Sequence, residues 1–321
     1  MPLILGFDDY LSPAMQLAQS MQAEFGLVKL HQFPDGETKV TLPVNLPKKI
    51  IICRTLNQPN NKLIDIIIAA SAARSQGVEH ITLVAPYLCY MRQDIAFNEG
   101  EAVSQKIIGK LLSEYFDSVI TIDPHLHRIS KLSEAIPTNQ AIALYATKAM
   151  STFLQQHFKN PIIIGPDEES AQWVKAIAQP QNWRYSIAVK QRFDDKHVAV
   201  SLGELSNGDK LNSTNISSAD SNSADTVSGK SLPVNMNNQD VVIVDDIAST
   251  GKTLEQTIVQ LQQHQTASIS VLVSHAFFVD GALERLKALG VTNIWSSDSV
   301  IHSTNAFSII DTIVEQLNNT H

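Results

Sequence analysis

The sequence has few cysteines and no excess of positive charge. The first argues against a disulfide-stabilised protein, and the second against a protein that binds nucleic acid. Cys53 and Cys89 are the only cysteines among 321 residues, and both lie in apolar surroundings. We therefore expect two buried thiols in a reducing compartment, the cytoplasm, rather than a disulfide. Lysine and arginine total 24 against 32 acidic residues, so a formal charge of −8 offers no basic surface for nucleic acid.

Long apolar runs are also missing. No stretch reaches the roughly 18 residues of a membrane-spanning helix, and the opening residues MPLILGFDDY lack the basic start of an export signal. We therefore expect neither membrane insertion nor export. Hydrophobic residues make up 44% of the chain, which at this length suits two domains with separate cores.

Short β-branched runs alternate with helical patterns along the chain. The runs are KKIIICR (48–54), HITLVAP (80–86), DSVITID (117–123), PIIIGPD (161–167), DVVIVDD (240–246) and ASISVLVSHA (267–276). Strands of this kind are typical of parallel sheets covered by helices on both faces, so the sequence predicts an α/β fold. The pattern runs twice, which predicts one domain over residues 1–145 and a second over 146–321.

Three segments add detail to this organisation. A helix capped by Asn60 or Asn61 is predicted to end near Gly77. Its apolar positions are Leu63, Ile64, Ile67 and Ile68. Residues 203–239 are rich in Ser, Asn, Asp and Gly, which predicts a flexible insertion. A final helix is predicted near residues 305–318, and the sequence leaves both domains open as its packing partner.

The stretch VVIVDDIASTGKT (241–253) ends like a nucleotide-binding P-loop but lacks its first glycine. That loop needs a glycine five residues before Gly251, and Asp246 stands there. A carboxylate at this place would repel a triphosphate, which excludes the P-loop. A buried strand ending in Asp245 and Asp246 instead places two acids at the carboxyl edge of a parallel sheet, before a helix N-terminus that can hold an anion. This favours a sugar phosphate; the alternative is a capping loop with solvated acids.

The segment VDDIASTGKT (244–253) resembles the phosphoribosyl pyrophosphate loop shared by type I phosphoribosyltransferases and ribose-phosphate diphosphokinases. Nearly the whole chain is similar to the diphosphokinase family, and in details to its archaeal-type members. The resemblance implies two similar phosphoribosyltransferase-like domains, each a mainly parallel sheet flanked by helices. It also implies that Mg-ATP and ribose 5-phosphate react to give 5-phosphoribosyl 1-pyrophosphate and AMP.

Within this loop, the resemblance implies the contacts of ribose 5-phosphate. Asp245 and Asp246 would orient the ribose hydroxyls. The 5-phosphate would lie on Ser249, Thr250, Gly251, Lys252 and Thr253. Lys252 departs from the family, which usually has glycine or alanine there, and lysine would be strained if this position required a positive φ.

The segment FPDGETKV (33–40) resembles the family's hairpin that completes the ATP site of a neighbouring subunit. The resemblance assigns this role to Phe33, Asp35 and Glu37. It implies at least a homodimer with an ATP site shared between subunits. Taken alone, PDGE is an ordinary turn between two strands.

The segment PYLCYMRQD (86–94) resembles the family's adenine-nucleotide stretch. Arg92 and Gln93 would contact ATP, and Asp94 would support the loop. Ile95 and Ala96 replace residues that are basic in many members. An arginine after a buried strand is otherwise a plain surface charge.

Two strand ends carry the residues that the resemblance places at the Mg-ATP site. TIDPHLHRIS (121–130) contains His125 two residues after Asp123, and IIIGPDEESAQWV (162–174) contains Asp167. Two nearby histidines also fit zinc, but no third ligand of the right kind follows. A hard, oxygen-preferring Mg²⁺ suits a triphosphate better, so His125 and Asp167 are the predicted metal residues.

The segment VKQRFDDKHVAV (189–200) places Lys190 and Arg192 two residues apart, as on the family's mobile loop after a strand. Two cations at such a position are ordinarily solvent-exposed surface charges without a catalytic role. Phosphoryl-type transfer needs positive charge where its transition state spreads negative charge, so these two residues are the predicted catalytic pair.

Two rival functions stay open at this point. A phosphoribosyltransferase would use the same loop to consume 5-phosphoribosyl 1-pyrophosphate, but it ordinarily needs one such domain and no adenine-contacting stretch. A relative without turnover would serve as a regulatory or assembly partner, and the presence of Lys190, Arg192 and His125 disfavours that role.

Overall fold

The computed structural model describes residues 2–126, 128–192, 198–203, 206 and 235–320, with the backbone alone for residues 189–192, 198–202 and 320. Most of the segment predicted as a flexible insertion, residues 204–205 and 207–234, lies outside the described residues. Its last residues are folded against a neighbouring turn: the Asn238 N–H donates to the Gln265 carbonyl at 3.0 Å, and Met236 is 1% exposed.

The described residues form fifteen strands and nine α-helices. The strands are β1 (Leu3–Gly6), β2 (Glu24–Leu27), β3 (Lys29–Gln32), β4 (Thr38–Thr41), β5 (Lys49–Cys53), β6 (His80–Val84), β7 (Ser118–Ile122), β8 (Gln140–Leu144), β9 (Ile162–Gly165), β10 (Tyr185–Arg192), β11 (Val198–Leu202), β12 (Asp240–Ala248), β13 (Ser268–Ala276), β14 (Asn293–Ser297) and β15 (Asn305–Phe307). The helices are α1 (Leu11–Ser20), α2 (Pro59–Ser75), α3 (Ser104–Tyr115), α4 (Leu132–Ala135), α5 (Thr147–His157), α6 (Ala171–Ala178), α7 (Lys252–Leu261), α8 (Ala282–Ala288) and α9 (Ile310–Thr320).

The strands assemble into two large sheets and one hairpin. The first sheet has the order β2-β1-β5-β6-β7-β8, and every neighbouring pair in it is parallel. The second has the order β11-β10-β9-β12-β13-β14-β15, with β9 parallel to both β10 and β12 and β11 antiparallel to β10. Strands β3 and β4 form a separate antiparallel hairpin. The predicted α/β class and all six predicted strands are confirmed.

The chain divides into two units. The first contains Met1–Ala149, Val273–Phe277 and Trp295–His321, and the second contains Met150–Leu272 and Phe278–Ile294. The sequence predicted a single division near residue 145. Two later segments return to the first unit, and a run of local patterns does not reveal such a return.

Helix α2 buries a different face from the one that the sequence predicted. Pro59 is its first residue, so Asn60 and Asn61 lie inside the first turn rather than capping it. The buried stripe is Leu63, Ile66, Ala69, Ala70 and Ala73, whereas Ile64 is 55% exposed. Alanines supply three of these five residues, whereas Ile68, like Ile64, lies on the exposed side of the helix.

The last helix begins later than predicted. Residues 305–307 form β15, and α9 starts at Ile310. Its apolar residues Ile313 and Leu317 are buried, and α9 packs on α1 within the first unit.

Both cysteines are buried as predicted, with Cys53 0% and Cys89 2% exposed. Burial raises the pKa of each thiol to about 12, so neither is a reactive thiolate. None of the described helices has the length and apolar character that crossing a membrane requires.

Candidate active site

The predicted phosphate loop follows β12, a nine-residue strand of the second sheet in which residues 241–244 are buried. Strand β12 continues two residues beyond the predicted end, to Ala248, and α7 begins at Lys252. Between them, Gly251 has φ +74° and serves as the N-terminal cap residue of α7. The loop therefore leads directly into a helix N-terminus, where unpaired N–H groups attract an anion.

Positive φ falls on Gly251 and not on Lys252. Glycine adopts this left-handed conformation without the steric cost that a side chain brings. Lys252 is the first helical residue of α7 and is exposed, and it is absent from the residues with positive φ in the described chain. The strain that lysine would meet in a left-handed position therefore does not arise.

Two backbone bonds hold the loop from behind. The Phe278 N–H donates to the Ala248 carbonyl and the Val279 N–H to the Ser249 carbonyl, each at 3.0 Å. No local sequence pattern indicates this support, because the partners lie thirty residues apart. Phe278 and Asp280 both have positive φ, which marks the supporting turn as a tight one.

The two acids of the loop differ in exposure. Asp246 is 3% exposed, whereas Asp245 is partly exposed. Successive strand residues face opposite sides of a sheet, so the two carboxylates do not lie side by side. The Asp245 carboxylate accepts the Asp246 N–H at 3.0 Å, which fixes its position at the strand end.

The predicted catalytic pair lies on a strand, so the predicted loop position is wrong. Lys190 and Arg192 belong to β10, where they pair with Val200 and Val198 of β11. The connecting residues 193–197 lie outside the described part of the chain.

The predicted adenine-nucleotide stretch follows β6 in the first unit. Arg92 is exposed, and the Gln93 side-chain oxygen accepts the Ser104 hydroxyl at 2.9 Å at the start of α3. Asp94 is 6% exposed and accepts Arg128 Nη1 at 2.6 Å. Arg128 was missed from sequence, since it lies 34 residues from Asp94.

His125 follows a buried acid at the end of β7. Asp123 is 1% exposed, has φ +39°, and accepts the Ser274 hydroxyl and the Ala146 N–H. His275, also buried, lies with Nε2 3.3 Å from the Asp123 carbonyl. These contacts fix the backbone that carries His125, which is itself partly exposed.

Asp167 caps a short 3-10 turn, Glu168–Ser170. Its Oδ1 accepts the Ser170 N–H at 3.3 Å, and the side chain is partly exposed. Among the described residues, no cluster of three or more metal-binding side chains occurs. Mg²⁺ is commonly held by one or two carboxylates together with substrate phosphates rather than by a protein cage, so the donors present fit a metal that arrives with a triphosphate.

The hairpin β3–β4 carries the remaining predicted ATP residues. Phe33, Asp35 and Glu37 are all exposed, and the turn closes through the Phe33 N–H bond to the Glu37 carbonyl at 2.8 Å. Asp35 accepts the Glu37 N–H at 3.2 Å. The predicted turn between two strands is confirmed.

The predicted residues thus fall into two groups. The loop 245–253, Asp167 and the β10 cations belong to the second unit, whereas the hairpin, Arg92–Asp94 and His125 belong to the first.

Comparisons with known proteins agree with this architecture. A family model of the N-terminal domain of ribose phosphate pyrophosphokinase matches residues 4–115, and a phosphoribosyl transferase domain matches residues 133–304. The chain is similar to ribose-phosphate pyrophosphokinases of Methanopyrus kandleri (25% identity, 99% of both chains) and Saccharolobus solfataricus (28% identity, 92% of this chain and 90% of that one). Its fold matches the crystal structure of phosphoribosylpyrophosphate synthetase from Mycobacterium smegmatis, with TM-score 0.77, 16% identity and coverage of 100% and 99%. The chain therefore belongs to the ribose-phosphate pyrophosphokinase family of enzymes.

Proposed function

We propose that this enzyme transfers the pyrophosphoryl group of Mg-ATP to the anomeric hydroxyl of ribose 5-phosphate, which gives 5-phosphoribosyl 1-pyrophosphate and AMP. The observation that carries this proposal is the loop after β12, where an accessible carboxylate, Asp245, precedes a glycine-capped helix N-terminus. An acid next to an anion site is complementary to a sugar that carries both hydroxyls and a phosphate.

On the sugar side, Asp245 accepts ribose hydroxyls, and the Asp246 N–H holds the Asp245 carboxylate at the strand end. The 5-phosphate lies on Ser249, Thr250, Gly251, Lys252 and Thr253. Exposed Lys252 adds a cation at the entrance of this loop. Holding the sugar at both ends leaves its anomeric hydroxyl in one fixed place, which contributes to the rate through positioning.

On the nucleotide side, Arg92 and Gln93 bind ATP, and Asp94 supports them through its bond to Arg128. Mg²⁺ ions would be bound near His125 in the first unit and near Asp167 in the second, and when bound they screen the charge of the triphosphate. The exposure of Phe33, Asp35 and Glu37 supports their role in the ATP site of a second copy, hence a homo-oligomer of at least two chains.

The chemical step breaks one bond and forms another. The anomeric oxygen attacks the β-phosphorus of ATP, the bond from that phosphorus to the oxygen of the α-phosphate breaks, and AMP leaves with this oxygen while the hydroxyl proton is released to solvent. Lys190 and Arg192 of β10 stabilise the negative charge that develops during this transfer. The proposal places the enzyme in the cytoplasm, where ATP is available.

A rate assay that separates AMP from ADP tests this function. Purified enzyme with Mg²⁺ and ATP should release AMP only when ribose 5-phosphate is added. ADP as the main product would identify an ordinary kinase. Consumption of 5-phosphoribosyl 1-pyrophosphate with a base would identify a phosphoribosyltransferase, and no turnover with either substrate pair would identify a regulatory relative.

A further inference from the structure

Helix α8 supports the phosphate loop through a single arginine. Arg285 Nη2 donates to the Thr250 carbonyl at 2.7 Å. Together with the bonds from Phe278 and Val279, this means that the carbonyls of three successive residues, 248 to 250, are all bonded to the segment 278–285.

The peptide geometry turns these bonds into an orientation for the opposite groups. In a trans peptide the N–H points away from the carbonyl, and the described chain contains no cis peptide. The N–H groups of Ser249, Thr250 and Gly251 therefore point away from the segment 278–285. In the described structure none of these three N–H groups donates to another protein group. Successive N–H groups of this kind form a concavity that binds anions.

Arg285 is itself fixed from two further sides. Its Nε donates to Glu255 Oε1 of α7 at 2.7 Å, and its Nη1 donates to the Asp280 carbonyl. The planar guanidinium can satisfy these partners and Thr250 at once, whereas the single ammonium of a lysine cannot span them. Glu255 also offsets the charge, so the main effect of Arg285 on the loop is on its geometry.

We propose that Arg285 is a positioning residue for ribose 5-phosphate. It holds the Thr250 carbonyl away from the phosphate and thereby directs the Gly251 N–H toward it. Without this bond the Thr250–Gly251 peptide is free to turn, and its carbonyl would then repel the anion. This inference rests on the proposed function of the same loop.

The test compares Arg285→Met and Arg285→Lys with a control, Arg184→Met. Arg184 lies in the same unit and donates to the Gln239 side chain at 2.9 Å. Arg285→Met is expected to raise the KM for ribose 5-phosphate about 10-fold or more, with the KM for ATP and kcat within about 2-fold of the unaltered enzyme. Arg285→Lys should show most of this increase, and Arg184→Met none of it.

A KM for ribose 5-phosphate that stays within about 2-fold in Arg285→Met overturns the proposal. A KM of Arg285→Lys equal to that of the unaltered enzyme also overturns the proposal, because a positive charge alone would then be enough to bind ribose 5-phosphate. Calorimetric titration with ribose 5-phosphate separates this proposal from the proposed function. Binding without turnover in the unaltered chain contradicts the function alone, and equal binding by Arg285→Met contradicts the role of Arg285. If the unaltered chain binds no ribose 5-phosphate, both proposals fall.

Discussion

Replacing Gly251 with alanine tests the geometry of the phosphate loop. Gly251 has φ +74°, and an added Cβ would lie 3.1 Å from the Cβ of Ala282 at the start of α8. A left-handed alanine costs about 1 kcal/mol, and the close contact requires α8 or the loop to shift by a few tenths of an ångström. We expect Gly251→Ala to lose about 1–2 kcal/mol of unfolding free energy.

Gly251→Ala should also weaken the binding of ribose 5-phosphate. Because the shift moves the N–H groups that we propose to bind the phosphate, the KM for ribose 5-phosphate should rise about 10-fold while the KM for ATP changes little. Gly290→Ala is the matched control, since Gly290 lies in the same unit with φ +80° and has no atom within 4 Å of an added Cβ.

Urea denaturation measures the unfolding free energy of both variants, and steady-state kinetics measures their KM for ribose 5-phosphate. Gly290→Ala should lose about 1 kcal/mol of stability, from the backbone alone, and keep its KM for ribose 5-phosphate. An equal KM in Gly251→Ala and Gly290→Ala would refute the assignment of this loop to the phosphate.

Three further variants test other parts of the account. Lys190→Ala should lower kcat at least about 100-fold with little change in substrate binding, measured by AMP release and calorimetry; a kcat within 3-fold removes Lys190 from the catalytic pair. Arg128→Met removes the cation that pairs with the buried Asp94 carboxylate; because the Arg128 side chain is itself 51% exposed, the loss should be about 2 kcal/mol in chemical denaturation, whereas Lys148→Met, in the exposed pair with Glu315, should cost under about 1 kcal/mol; similar losses contradict the importance of the Asp94–Arg128 pair. Burial raises the pKa of Asp298, so the folded state holds this proton more tightly and the unfolding free energy should fall as pH rises from about 4; Asp298→Asn should remove that part of the slope, and an unchanged slope contradicts it.

The parts of the fold that depend on local pattern could be predicted from the sequence. Apolar runs such as 240–246 and 267–276 form strands of the mainly parallel second sheet, because burial on both faces leaves a continuous apolar signature. Helix α2 shows the limit of this approach. Its buried face consists largely of small alanines, which are a weak periodic signal, and the exposed Ile64 is a strong one.

The candidate site was predictable where its residues are contiguous and not where they meet across the fold. The residues 245–253 follow one another along the chain, so strand, turn and helix N-terminus could be read together. Arg285 and Thr250 are 35 residues apart, and no local pattern connects them. Lys190 and Arg192 were expected on a loop, whereas they pair with β11 in a hairpin. The polar residues that connect the two strands hide this pairing from a reading of local pattern.

The central claim is that ATP loses its β- and γ-phosphates together to the sugar bound at residues 245–253. Phosphorus NMR of a reaction with Mg²⁺, ATP and ribose 5-phosphate measures this directly. We expect AMP and a pyrophosphate attached to the anomeric carbon to appear in equal amounts. At a low concentration of ribose 5-phosphate, Gly251→Ala should slow the formation of both products equally. Transfer of the γ-phosphate alone, with ADP accumulating, would contradict it.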